Sequence, residues 1–144
     1  MLNAFKPVGW RKNAIHPRCY RMTRTNLCVL IVDDVAAVRS YLKQILLGLG
    51  VPDIVEAADG AEARVLYTRL QPQLVFLDIQ LPDMNGKELL RQFKSQNQQS
   101  QIVMVSAFSS VSNLKDSIAA GANAFVVKPF SVKRISHLMQ PYLN

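Results

Sequence analysis

Short runs of uninterrupted apolar residues alternate with stretches whose apolar positions recur every three or four residues. Cys28–Val32 is the first run. The stretch after it places Val38, Leu42, Ile45, Leu46 and Leu49 on one side of a helix, closed by Gly48, Gly50 and Val51-Pro52. Asp53–Ala57 predicts a second, shorter strand. Gly60–Leu70 predicts a helix with Ala61, Val65, Leu66 and Leu70 inward, stopped by Gln71-Pro72. A third strand over 73–77 has the apolar continuity of one covered on both faces. A loop over 78–86 follows, with turn signals at Pro82 and Asn85-Gly86. Residues 87 to about 94 predict a helix burying Leu89, Leu90 and Phe93, and 95–100 a solvated loop. Strands over 101–105 and Ala124–Val127 flank a helix near 111–120. A last helix over 131–140 turns Val132, Ile135, Leu138 and Met139 inward and ends at Pro141.

Strands alternating with helices imply an α/β fold, a doubly wound five-stranded parallel sheet with five helices and right-handed crossovers. Ligands in such sheets sit beyond the carboxyl ends of the strands, where strand order reverses. Polar residues stand at those ends. Asp33-Asp34 follows the first strand and Asp78 the third. Ser106 follows the fourth, and Lys128-Pro129-Phe130 the fifth.

Three converging acids repel one another unless a cation shares the site. Oxygen donors without His or Cys favour Mg²⁺, which readily takes phosphate oxygens as further ligands. Each acid alone could equally cap a helix or begin a turn; their arrival together with a hydroxyl and an amine favours a site. Lys128 precedes proline and is held extended, which aims its long side chain. As a nucleophile Ser106 would need a base, and the two histidines, His16 and His137, lie away from the strand ends. As a donor to a phosphoryl oxygen it needs none. Gly48-Leu49-Gly50 follows a helix rather than a strand, so no nucleotide-binding loop is indicated.

Charge changes the picture only once it is divided. Of 17 Lys+Arg, six (Lys6, Arg11, Lys12, Arg18, Arg21, Arg24) lie in residues 1–26, which hold none of the ten acids. Residues 27–144 are therefore nearly neutral, and the net charge of +7 is weak evidence for nucleic-acid binding. Residues 1–26 are expected to form a flexible basic extension, ahead of one domain over 27–144. Phe5, Trp10 and Tyr20 within the extension allow a weak nucleic-acid or membrane-surface arm, and Met22 is an alternative start. Two cysteines without metal spacing favour a reduced, cytoplasmic setting. No apolar run reaches the ~20 residues of a transmembrane helix.

The segments VLIVDDVAAVR (29–39), EAADGAEA (56–63), LVFLDIQLPDMNG (74–86), IVMVSAF (102–108) and AGANAFVVKPF (120–130) carry a further signal. In order and spacing they resemble the receiver domain of two-component response regulators over 27 to about 143. That resemblance implies a CheY-like sheet of order 2-1-3-4-5. It implies that Asp78 accepts a phosphoryl group from a histidine kinase or histidine phosphotransfer protein. Asp33, Asp34, Asp78 and the Gln80 backbone carbonyl would serve Mg²⁺, with Asp33 acting through water. Ser106, the Ala107 backbone N–H and Lys128 would hold the phosphoryl oxygens. Phe125 stands at the switch aromatic, whose turning would reshape the surface of the fourth and fifth helices and fifth strand for a partner.

Ser106 replaces the commoner Thr and keeps its hydroxyl, whereas Phe125 lacks a phenol OH. By the same resemblance, Gln80 and Phe108 stand at positions that in that family tune how long the phosphoryl group survives. The expectation is a phosphoacceptor, not an enzyme acting on small substrates, that promotes its own Mg²⁺-dependent phosphorylation and dephosphorylation. An aspartyl phosphatase would place an acid where Gln80 stands. A receiver-like module working unphosphorylated would usually lack part of the set. With only Tyr142-Leu143-Asn144 after the last helix, no DNA-binding output domain is expected. The chain is expected to act as a monomer, or a phosphorylation-dependent dimer, on a downstream protein that the residues do not identify.

Overall fold

The computed structural model describes residues 27–107 and 110–143. The basic extension, the alternative start at Met22 and Phe108 lie outside the described residues. Elements follow in the order β1 (Cys28–Val32), α1 (Ala36–Gly48), β2 (Asp53–Ala57), α2 (Gly60–Leu70), β3 (Leu74–Asp78) and α3 (Gly86–Gln96). Then come β4 (Gln101–Ser106), α4 (Val111–Ala119), β5 (Ala124–Val127) and α5 (Val132–Met139), with a 3₁₀ turn at Gln140–Tyr142. The strands form one parallel sheet in the order β2-β1-β3-β4-β5.

Period-two alternation divides the core into two layers. Val29, Ile31, Phe76, Val103 and Val105 face one side, against Leu42, Ile45 and Leu46 of α1 and Ile135 and Met139 of α5. Leu30, Val32, Val75, Leu77 and Met104 face the other, against Ala63 and Tyr67 of α2 and Leu89, Leu90 and Phe93 of α3. Both faces of β1, β3 and β4 are thus covered, which is why those strands read as unbroken apolar runs.

Four local expectations need correction. In α2 the inward stripe is Ala63, Tyr67 and Leu70, with Leu66 half-buried. Ala61 is exposed and Val65 is 56% exposed. The helix is rotated because the Tyr67 ring stacks on Phe93 at 3.9 Å, and its hydroxyl donates to the Phe93 carbonyl at 3.2 Å. An aromatic body with a satisfied polar tip outweighs a valine as a core residue. Val132 is also exposed, in the first turn of α5, whose buried residues are Ile135 and Met139.

The other two corrections concern element ends. Helix α3 continues to Gln96, and Ser100 beyond it is buried, its carbonyl accepting from Lys94 Nζ at 2.6 Å. The region over 95–100 is therefore not a wholly solvated loop. Strands β3 and β4 each run one residue further than 73–77 and 101–105, so Asp78 and Ser106 lie within the sheet ladder. Paired backbone fixes the direction of both side chains.

Candidate functional site

The register explains why the polar residues meet. Val32 pairs with Leu77, Asp78 with Val105, and Ser106 with Val127, so β1, β3, β4 and β5 end at one level. The next residue on β1 is Asp33, and on β5 Lys128. Asp33, Asp78 and Ser106 are buried, whereas Asp34 is exposed. One carboxylate oxygen from each of Asp33, Asp34 and Asp78 lies within 4.8 Å of the others.

Lys128 bridges two of these acids. Its Nζ lies 2.6 Å from Asp33 Oδ2 and 3.2 Å from Asp78 Oδ2. The peptide bond joining Lys128 to Pro129 is cis. Phe130 behind it is buried and stacks on Tyr41 of α1 at 5.5 Å, and the Lys128 N–H donates to the Ser106 carbonyl at 2.8 Å. The lysine is thus held from β4 and from α1.

No side chain caps α1. Asp33 Oδ1 instead accepts the Val35 N–H at 2.9 Å, and the Asp33 carbonyl accepts from Arg39 Nη1 at 2.6 Å. The same arginine reaches Glu56 of β2 at 3.0 Å, tying the loop after β1 to the sheet edge. Helix capping therefore does not account for the acidic pair.

Burial pushes the Asp78 carboxyl up from its ordinary range. The Lys128 ammonium and the Gln80 N–H (3.2 Å from Oδ1) pull it down, Asp33 pushes it further up, and the net direction is upward. For Lys128, burial disfavours the charge, but hydrogen bonds and attraction from Asp33 and Asp78 outweigh it and raise the pKa.

A cavity of about 320 Å³ opens over the acids, lined by Asp34, Asp78, Gln80, Ser106, Ala107 and Lys128 together with Val35, Leu81 and Pro82. Three carboxylates and one ammonium leave a formal charge near −2. An all-oxygen acidic set of that charge fits a small divalent cation. Phe125 is half-buried against the α2–α3 side of the sheet, with its carbonyl accepting from Arg134 Nη2 at 3.2 Å. It is not part of the cavity wall.

Gly86 is a residue whose role the sequence understated. A Cβ there would fall 2.0 Å from the Asp78 carbonyl oxygen and 2.8 Å from Ile79 Cα. Glycine lets the start of α3 press against the strand end that carries Asp78. Asn85-Gly86 signals a turn, but nothing local signals that contact. Val35 and Leu81 line the cavity without any local sign of it, and Pro82 signals only a turn.

A family model described as response regulator receiver domain matches residues 29–140. The chain is 40% identical over 116 residues to the chemotaxis protein CheY of Bacillus subtilis, covering 81% of this chain and 97% of that protein. A CheY-like receiver domain from Methanospirillum hungatei superposes with a TM-score of 0.76 at 31% identity, covering 80% and 91% of the two chains. A CheX–CheY–BeF3–Mg complex from Borrelia burgdorferi gives 0.72 at 31% identity, covering 82% and 90%.

Proposed function

Because this chain belongs to the response regulator receiver family of two-component systems, we propose that Asp78 is its phosphoacceptor. The phosphoryl donor would be a histidine kinase or a histidine phosphotransfer protein. An Asp78 carboxylate oxygen attacks the phosphorus of a phosphohistidine. The new oxygen–phosphorus bond forms as the nitrogen–phosphorus bond breaks, and the imidazole leaves. Lys128 exchanges part of its carboxylate pairing for a phosphoryl oxygen. Ser106 and the Ala107 N–H bind the others.

Asp33, Asp34, Asp78 and the Gln80 carbonyl would hold Mg²⁺, with Asp33 acting through water. The ion, when bound, offsets the negative charge that gathers during transfer. The protein's own part is positioning and charge neutralisation rather than turnover of a small substrate. The observation that carries this reading is the Lys128 ammonium seated between Asp33 and Asp78 at the floor of a cavity that Ser106 also lines.

The response would be a shift of Ser106 and Phe125 that alters the α4–β5–α5 surface for a partner protein. In support, Val111, Leu114 and Ile118 of α4 and Val127 of β5 are exposed apolar residues. Among the described residues no helix is long and apolar enough to cross a membrane. Action in the cytoplasm is part of the proposal.

Incubation with acetyl phosphate and Mg²⁺ should add one phosphoryl group by mass, and Asp78→Asn should prevent it. Labelling unchanged by that substitution would put the nucleophile elsewhere.

A further inference from the structure

The loop between Asp78 and α3 carries the Gln80 carbonyl, and it is fastened to a helix that contributes nothing to the cavity wall. Asp83, exposed at the tip of that loop, accepts the N–H of Gly60 on Oδ1 at 2.8 Å. It accepts the N–H of Ala61 on Oδ2 at 2.9 Å. These are the first two amides of α2. The third, on Glu62, is capped locally by Asp59 Oδ1 at 2.8 Å. The amino end of α2 is therefore satisfied by two aspartates, one of its own and one from a loop more than twenty residues later.

Two further contacts hold the same loop. The Gly86 N–H donates to the Ile79 carbonyl at 2.6 Å, closing its far end. Met84 lies over Gly60, where a Cβ would meet its sulfur at less than contact distance. Backbone hydrogen bonds from Gly60 and Ala61 hold the Asp83 carboxyl below its usual range, the direction expected of an anion gripped by a helix amino end.

We propose that Asp83 is a positioning residue. It ties the β3–α3 loop to α2 and thereby sets where the Gln80 carbonyl stands when a divalent cation binds. The inference rests on the metal reading above and extends it to a residue outside the ligand set. Outer contacts that orient ligating groups commonly govern metal affinity.

The test is calorimetric titration of the full chain with Mg²⁺ alone, comparing the unsubstituted protein with Asp83→Ala, Asp83→Asn and Asp59→Ala. Asp59→Ala removes a cap from the same helix without touching the loop, so it reports helix weakening alone. Asp83→Ala should weaken Mg²⁺ binding about tenfold, while Asp59→Ala leaves it within about twofold. Asp83→Asn keeps the oxygen facing Gly60 and should fall between, and it carries the comparison if the alanine variant does not fold. Equal affinity in Asp83→Ala and the unsubstituted chain, or equal weakening in Asp83→Ala and Asp59→Ala, would overturn this inference and leave the metal reading intact. No binding by the unsubstituted chain would overturn both.

Discussion

Lys128 Nζ sits closer to Asp33 than to Asp78, 2.6 Å against 3.2 Å. The tighter contact is with the more deeply buried acid, since Asp33 is 2% exposed. Removing one partner from such a group leaves a buried charge uncompensated, which costs far more than the pair contributes. Lys128→Met should therefore destabilise the metal-free protein by about 3 kcal/mol, with Mg²⁺ recovering part of the loss. Urea denaturation with and without Mg²⁺ measures both. The raised pKa of Lys128 means its contribution is whole below 10.5 and is lost only as pH climbs through the higher folded value. The deficit of the variant should thus be flat across neutral pH.

Asp78 has the opposite consequence. Its pKa is raised in the fold, chiefly by burial, so its share of stability is complete below 3.8 and declines as pH rises through the folded value. At neutral pH the ionised carboxylate opposes folding. Asp78→Asn should raise the thermal midpoint of the metal-free protein at pH 7 by about 4 °C, a stabilisation on the order of 1 kcal/mol. The advantage should shrink as pH approaches 4. Added Mg²⁺ should raise the midpoint of the unsubstituted chain and have much less effect on the variant. Calorimetric scans from pH 4 to 8 in EDTA and in Mg²⁺ give all three quantities.

Gly86→Ala and Gly48→Ala form a matched pair. At Gly86 the new methyl would lie 2.0 Å from a backbone oxygen, which cannot swing away as a side chain can. A loss of about 3 kcal/mol is expected, at the upper end for overpacking. At Gly48, in the last turn of α1, nothing lies within 4 Å of an added Cβ. There alanine should stabilise by about 0.5 kcal/mol through helix propensity. Chemical denaturation of both variants decides it, and comparable effects would contradict the packing described around Asp78.

At Tyr67 the ring and the hydroxyl act separately. Tyr67→Phe removes the hydroxyl and its bond to the Phe93 carbonyl, which keeps the Asn97 N–H, a loss of about 1 kcal/mol. Tyr67→Ala also removes the stacked ring and should cost about 4 kcal/mol. Similar values for the two would assign the contribution to the hydroxyl and not to the stacking.

Much of this architecture was legible because the central strands are buried on both faces, so Cys28–Val32 and its counterparts carry no polar interruption. Asp33, Asp78, Ser106 and Lys128 stood out because a polar residue ending such a run has one direction to point. The α2 face was misread for a physical reason. Tyr67 is polar at its tip and apolar along its body, and only the neighbouring Phe93 reveals which end decides its placement. Contacts between loops distant in the chain had no local sign. The Asp83 grip on Gly60 and Ala61, and the closeness of Gly86 to Asp78, depend on two turns meeting in space.

One member of the ion pair leaves the first strand of the fold, and the other leaves the last. A chain emerging from the ribosome therefore carries its acids long before the amine that neutralises them. Until β5 is laid down, Asp33 and Asp78 have their local partners at the Val35 and Gln80 N–H groups but lack the ammonium that offsets their repulsion, and the half-made sheet lacks the clasp that joins its first and final threads. The site thus closes only when the final strand is in place, and a chain shortened before Lys128 would lack the amine that the two acids share.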